Sequence, residues 1–336
     1  MSYRSRSLGL NLLAALAALS GCGAPVEGDS EPLGSSGQAI IGGSADPGDT
    51  NVVDIVWQSL GGVQECSGSL LAPNLVLTAH HCVSDVLNKA NGADCATSQF
   101  AAPDAVSNLL VSTKEQVSSN PAAFHTVREI VVPQGSTNGT FCGFDLAMLI
   151  LSDDVQPSEA VPLVPLVDGE IAPHEVYSAV GFGLTGDGAG ASGTRRRLGG
   201  LLVDCVGRGC ASSAVGQIDT QREWIGDHGT CHGDSGGPAL DTANRVIGVT
   251  SRSAPGCTAP IYGDVYSWAD WIKETAQHAA AVGNYTAPPW ALGHSTDPPM
   301  SGKSGCNVGA SEPAGPAPWL LGAAVWAITS RRRRGR

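Results

Sequence analysis

Gly233-Asp234-Ser235-Gly236-Gly237-Pro238, with Cys231 two residues upstream of Gly233, sets a serine inside a tight, glycine-flanked turn. Glycine lets the chain bend so sharply that neighbouring backbone N–H groups can converge on one point. An acyl-transfer nucleophile and the cradle for its oxyanion need that geometry. Loops are rich in Gly and Ser, so the turn gains its weight from two other stretches. Thr78-Ala79-His80-His81-Cys82 offers an imidazole, and Asp145-Leu146-Ala147-Met148-Leu149 offers a carboxylate. The order along the chain is His, Asp, Ser.

A serine hydroxyl is a poor nucleophile at neutral pH and needs a neutral imidazole to take its proton. The imidazole in turn needs a buried acceptor that fixes its tautomer. Asp145 directly precedes the apolar stretch Leu146 to Leu151, which places it at the edge of a core strand. Asp153 and Asp154 are alternative carboxylates, but they follow that strand and read as turn residues. From the residues alone, either His80 or His81 could be the base.

At these three stretches the chain resembles the trypsin/chymotrypsin family of serine endopeptidases. The resemblance runs from about Ile40 to the helical stretch near Ala280. It implies an all-β fold of two antiparallel six-stranded β-barrels with a C-terminal helix. It makes His81 the base, Asp145 its orienter, Ser235 the nucleophile, and the N–H groups of Gly233 and Ser235 the oxyanion hole. His80 then replaces a usual alanine and faces away. The resemblance also gives Asp234 a partner. Ile40-Ile41-Gly42-Gly43 is similar to the family's mature start, so cleavage of Ala39–Ile40 would free an amine for Asp234 and activate a zymogen. Gln38-Ala39 is not the usual basic site, which leaves self-cleavage or another activating protease open.

By the same resemblance, Gly229 occupies the base of the substrate pocket, with Thr230 beside it. Ser251 buttresses Asp145, Arg252 replaces a tryptophan, Ser253 replaces a wall glycine, and Ile261 is the candidate second wall. An acidic base is missing, so the expected preference is for small or medium uncharged side chains rather than Arg or Lys. Protein or peptide substrates are implied, and no cofactor. The family pairs Cys66 with Cys82 beside the histidine and Cys231 with Cys257 at the pocket. Cys205 and Cys210 lie in one Gly-rich loop and can close a local ring, which leaves Cys95 with Cys142; spacing alone does not decide this.

Strand-like stretches with turn signals fill the centre of the chain. Gly68 to Leu71 and Leu75 to Thr78 flank the Ala72-Pro73-Asn74 turn, and Val52 to Trp57, Val176 to Gly181 and Val246 to Thr250 are further examples. Trp268, Trp271, Ile272 and Ala276 recur at helical spacing. The 336 residues carry a formal net charge of −12. Most of the acid lies in the central segment, a surface that repels nucleic acid.

Residues 1–22 read as an export signal: Arg4 and Arg6, then an apolar run, ending Leu19-Ser20-Gly21-Cys22. That ending resembles a lipoprotein cleavage box, which would leave a lipidated Cys22; an ordinary signal with an incidental cysteine is the alternative. Export favours disulfides over metal or redox use of the ten cysteines. The expected layout is a propeptide at 23–39, a peptidase domain at 40–282, a Pro/Gly/Ser-rich linker at 283–318 and a short apolar, Arg-rich tail at 319–336. This tail, after Cys306, resembles the sorting tails of myxobacterial surface proteins; a disordered tail gripping anionic lipid headgroups is the alternative. The enzyme would thus sit at the outer membrane or cell surface, or be secreted after processing. Two further readings stand beside the protease. One is a catalytically inactive surface binding module of the same fold. The other is a zinc site built from His81, Cys82, Cys231 and His232, which lacks any ligand-pair spacing.

Overall fold

In the computed structural model of the chain, residues 40–59, 62–89, 93–184, 193–210 and 217–297 are described. The expected signal, propeptide, Cys22 and sorting tail lie outside them. Val52–Ser59 (β1) is buried on both faces from Val52 to Trp57, and apolar there except at Asp54. It pairs with Gly62–Ala72 (β2), which turns through Pro73-Asn74 into Leu75–Thr78 (β3). Leu109–Ser112 (β4), His125–Val131 (β5) and Ala147–Leu151 (β6) complete a closed barrel with ring order β1-β2-β3-β6-β5-β4.

The second half repeats that plan. Val176–Gly181 (β7), Arg196–Val206 (β8), Glu223–Gly226 (β9), Pro238–Leu240 (β10), Arg245–Ala254 (β11) and Thr258–Asp264 (β12) pair in the ring β7-β8-β9-β12-β11-β10. In both rings the first, second and third strands are followed by the sixth, fifth and fourth. Trp224, Tyr262 and Tyr177 pack together in the second core, with Trp224 and Tyr262 stacked at 4.2 Å between ring centroids. Both barrels are antiparallel and six-stranded, as the family resemblance implies.

The helix Ala269–Gly283 (α1) follows. Its buried residues Ile272, Thr275, Ala276, Ala279 and Ala280 form one stripe, and Asn284 ends it in the left-handed conformation at φ 57°. Residues 284–296, the start of the expected 283–318 linker, pack onto the body; the rest of that stretch lies outside the described residues. Tyr285 donates to Asn74 Oδ1 at 2.7 Å, Gln277 Nε2 donates to the Ala291 carbonyl at 2.7 Å, and Trp290 is buried beside α1. Thr296 N–H reaches Asp168 Oδ2 at 2.7 Å. Two prolines and no periodicity disguise this segment in the sequence, yet Trp290 removes a large apolar surface from water.

Candidate active site

Ser235 lies in the turn just before β10, wrapped by its neighbours. Gly233 has φ +95°, and a Cβ there would come within 2.7 Å of Gly183 Cα, so only glycine fits. The turn's carbonyls are tied to the first barrel: Ser67 N–H donates to Ser235 O at 2.7 Å, and Ser67 Oγ donates to Gly233 O at 2.9 Å. Ser67 Oγ also accepts from Phe182 N–H at 3.0 Å, which makes this small side chain a peg between the barrels. No described residue accepts from the N–H of Gly233 or Ser235.

His81 sits in the 3-10 turn His80–Cys82 that follows β3. Its Nδ1 lies 2.8 Å from Asp145 Oδ2, and its backbone N–H donates to Asp145 Oδ1 at 2.9 Å. Ser251, in β11, donates its hydroxyl to Asp145 Oδ2 at 2.6 Å. Asp145 is 1% exposed. Burial alone would raise its pKa, but the His81 charge and the hydrogen bonds from His81 and Ser251 outweigh it and hold the carboxyl below its ordinary value. A carboxylate only accepts, so His81 Nδ1 carries a proton, and in the neutral imidazole Nε2 is the acceptor. Asp153 and Asp154 lie past the opposite end of β6, away from the imidazole.

His80 points into the core. It is fully buried, stacks on Phe100 at 3.8 Å between ring centroids, and its pKa is pushed down to about 4, first by burial. It is therefore neutral at physiological pH.

A cleft of about 860 Å³ opens beside His81 and Ser235. Thr230, Ser251, Arg252, Ser253 and Ile261 line it, with the Cys231–Cys257 disulfide. Gly229, expected at its base, does not. At φ +109° its carbonyl accepts Ile41 N–H at 2.9 Å, and the space where a Cβ would go is filled by Leu198 and Ile40. Gly229 therefore packs against the N-terminal segment behind the cleft. Arg252 lines the cleft but turns its guanidinium to buried Glu223, with Nη1 2.7 Å from Oε1. Glu223 and Ser67 were missed in the sequence; the only signal for Glu223 is an acid directly before the apolar Trp224-Ile225.

Asp234 is fully buried and accepts from Gly183 N–H and Cys231 N–H, each at 2.9 Å. Burial pushes its pKa up to about 7 against those two bonds. Ile40 is also fully buried, in the core cluster of the second barrel that includes Tyr177 and Leu201, with φ 45°. A β-branched residue in the left-handed region is strained.

Among the described residues four disulfides form: Cys66–Cys82, Cys95–Cys142, Cys205–Cys210 and Cys231–Cys257. They consume both sulfurs of the zinc reading, Cys82 and Cys231, so no thiolate is left there to bind a metal.

Two barrels, with a histidine and carboxylate from one and a serine turn from the other, define a serine hydrolase architecture. The sequence model of the family described as Trypsin matches residues 40–272, and the chain belongs to that family of serine proteases. It is similar to Proproteinase E of Bos taurus, 29% identical over 62% of this chain and 83% of the relative. It is similar to Trypsin of Saccharopolyspora erythraea, 27% identical over 70% and 97%. Chymotrypsin-like elastase family member 3B of Macaca mulatta is 31% identical over 62% and 81%.

Proposed function

We propose that the chain is a serine endopeptidase in which His81 is the general base, Asp145 orients it, and Ser235 attacks the scissile carbonyl. The observation that carries this is the hydrogen-bonded line Ser251–Asp145–His81, which ends on the cleft that Ser235 also lines. His81 takes the Ser235 proton as the hydroxyl attacks, then passes it to the leaving amine. The N–H groups of Gly233 and Ser235 hold the oxyanion of the tetrahedral intermediate. Water then releases the acyl group by the same steps in reverse roles.

The chain is made as a zymogen in this reading. Cutting Ala39–Ile40 abolishes the φ torsion of Ile40, and with it the strain seen there. The new ammonium pairs with buried Asp234, which among the described residues has two N–H partners. A relative named as a proproteinase is in keeping with this. The P1 residue is small or medium and uncharged. Ser253 and Ile261 line the cleft that Ser235 also lines, and a relative is named as an elastase family member. Residues 1–22 export the chain, either with lipid on Cys22 or as an ordinary signal, and the tail at 319–336 sorts it to the surface. The disulfides suit an oxidising, extracellular setting.

An organophosphonate tests the mechanism. The Ile40-started enzyme is expected to take up one equivalent on Ser235 and to hydrolyse peptides after small uncharged residues. Absence of labelling would leave the inactive binding module, and dominant cleavage after Arg would overturn the pocket assignment.

A further inference from the structure

The triad's outermost hydrogen bond does not end at Ser251. The next residue, Arg252, donates from Nη1 to Ser251 Oγ at 3.1 Å. Its guanidinium is held on every side. Nη1 and Nη2 pair with Glu223 Oε1 and Oε2 at 2.7 and 2.8 Å, and Nη2 donates to the Gln217 carbonyl at 2.6 Å. Nη2 also lies 3.3 Å from Cys142 Sγ and 3.9 Å from Cys95 Sγ, and the group sits over Phe141 at 5.4 Å from the ring centre. Glu223 is 2% exposed and fixed in turn by Gly143 N–H at 2.9 Å and Asp219 N–H at 2.7 Å. Gly143 stands two residues before Asp145. The fork therefore joins the second barrel to the backbone that carries the orienting carboxylate.

We propose that Arg252 is a positioning residue for the triad, acting through Ser251 on Asp145 and His81. A guanidinium has donors and no acceptor. Ser251 Oγ must accept from it, so the single hydroxyl proton cannot point toward Arg252 and goes to Asp145. Asp145 can only accept, so His81 Nδ1–H donates. The donor-only guanidinium thus fixes the direction of the Ser251 proton, while acceptor-only Asp145 fixes that of His81 Nδ1. Charge adds to this. Arg252 stands one hydroxyl away from Asp145, while Glu223 lies beyond it. The positive end of the pair faces the triad, which favours ionised Asp145 and disfavours protonated His81. The family resemblance puts a tryptophan at this position, so the device belongs to this chain's own residues.

The test rests on the protease reading and is built to separate the two. The kcat/KM pH profile is measured with a small acyl ester that does not extend along the Arg252 wall, for wild type, R252M, R252K and E223Q. His81 is titrated in parallel by the NMR signal of its Nδ1 proton, which needs no turnover. The remaining titratable or charged groups around His81 are Asp145 and His80, with Asp85, Lys89 and His232 on the cleft walls. All are common to every variant.

R252M removes the cation and uncovers Glu223, so the acid limb moves up by roughly half to one pH unit, with kcat down about tenfold. E223Q leaves the cation unbalanced and moves the limb down. R252K keeps the charge without the fork, so the limb stays near wild type and part of kcat returns. Should R252M fail to fold with an unpaired buried Glu223, E223Q and R252K still carry the test. Limbs and NMR titrations that coincide in all variants, with only KM for long peptides changed, would make Arg252 a mere wall residue. A wild-type enzyme that neither turns over nor labels would sink the protease reading instead, while the NMR titration still reports on Arg252.

Discussion

Replacing Asp54 with asparagine is expected to stabilise the protein, by an amount that grows with pH. Asp54 lies in the middle of β1, opposite Ser67 on β2 and Ser112 on β4. All three are fully buried, and neither carboxyl oxygen of Asp54 has a hydrogen-bond partner among the described residues. Burial, helped by the negative charge of Glu65, raises its pKa from 3.8 to about 8. The folded protein therefore keeps a proton that the unfolded chain gives up near pH 4. Stability present below pH 4 is lost as pH rises toward 8, at about 1.4 kcal/mol per unit. At pH 7 the accumulated loss is about 4 kcal/mol. Asparagine keeps the shape and cannot ionise, so its own desolvation does not vary with pH. Asp54→Asn should match the parent near pH 4 and exceed it by several kcal/mol at pH 7, a Tm gain on the order of 10 °C. Urea unfolding at pH 4, 5, 6 and 7, in a Ser235→Ala background that prevents self-digestion, measures the difference. Two stability curves running parallel across that range would refute the reasoning, because they would mean that Asp54 is charged and satisfied in the folded state.

Three further outcomes follow from the site. Asp145→Asn removes the acceptor that fixes the His81 tautomer and is expected to lower kcat by about 10⁴-fold with little change in KM, read by steady-state kinetics. Gly233→Ala drives a methyl into Gly183, displacing one oxyanion donor; kcat should fall by about 10²–10³-fold while the protein stays folded by circular dichroism. His80 titrates near 4 in the folded state and near 6.5 when unfolded, so stability present above pH 6.5 drains away as pH falls toward 4. His80→Phe should remove that acid loss, about 3 kcal/mol by pH 4, as followed by urea unfolding.

Much of the site is legible because its chemistry is local. The serine turn, the Ala72-Pro73-Asn74 hairpin and the carboxylate opening β6 each announce themselves within about six residues, where glycine, proline and apolar runs restrict the backbone directly. The helical stripe through Ile272 and Ala276 is of the same kind. Gly229 misleads for a tertiary reason: its distance from Ser235 fits the pocket, but Leu198 and Ile40 claim its open face. Asp54 hides in an apolar run whose pattern says only that both faces are buried.

By itself the sequence determined which groups could do chemistry and which stretches would be strands. Only the folded chain decided their partners. The shared ring order of the two barrels leaves no repeat in the residues, because hydrogen-bonded pairing is set by backbone register and tolerates almost any apolar side chain. Arg252 and Glu223 stand 29 positions apart, and nothing near either one names the other. They meet because β9 and β11 both flank β12, which brings a buried acid and a cation together beside Asp145, where leaving either unpaired would cost several kcal/mol.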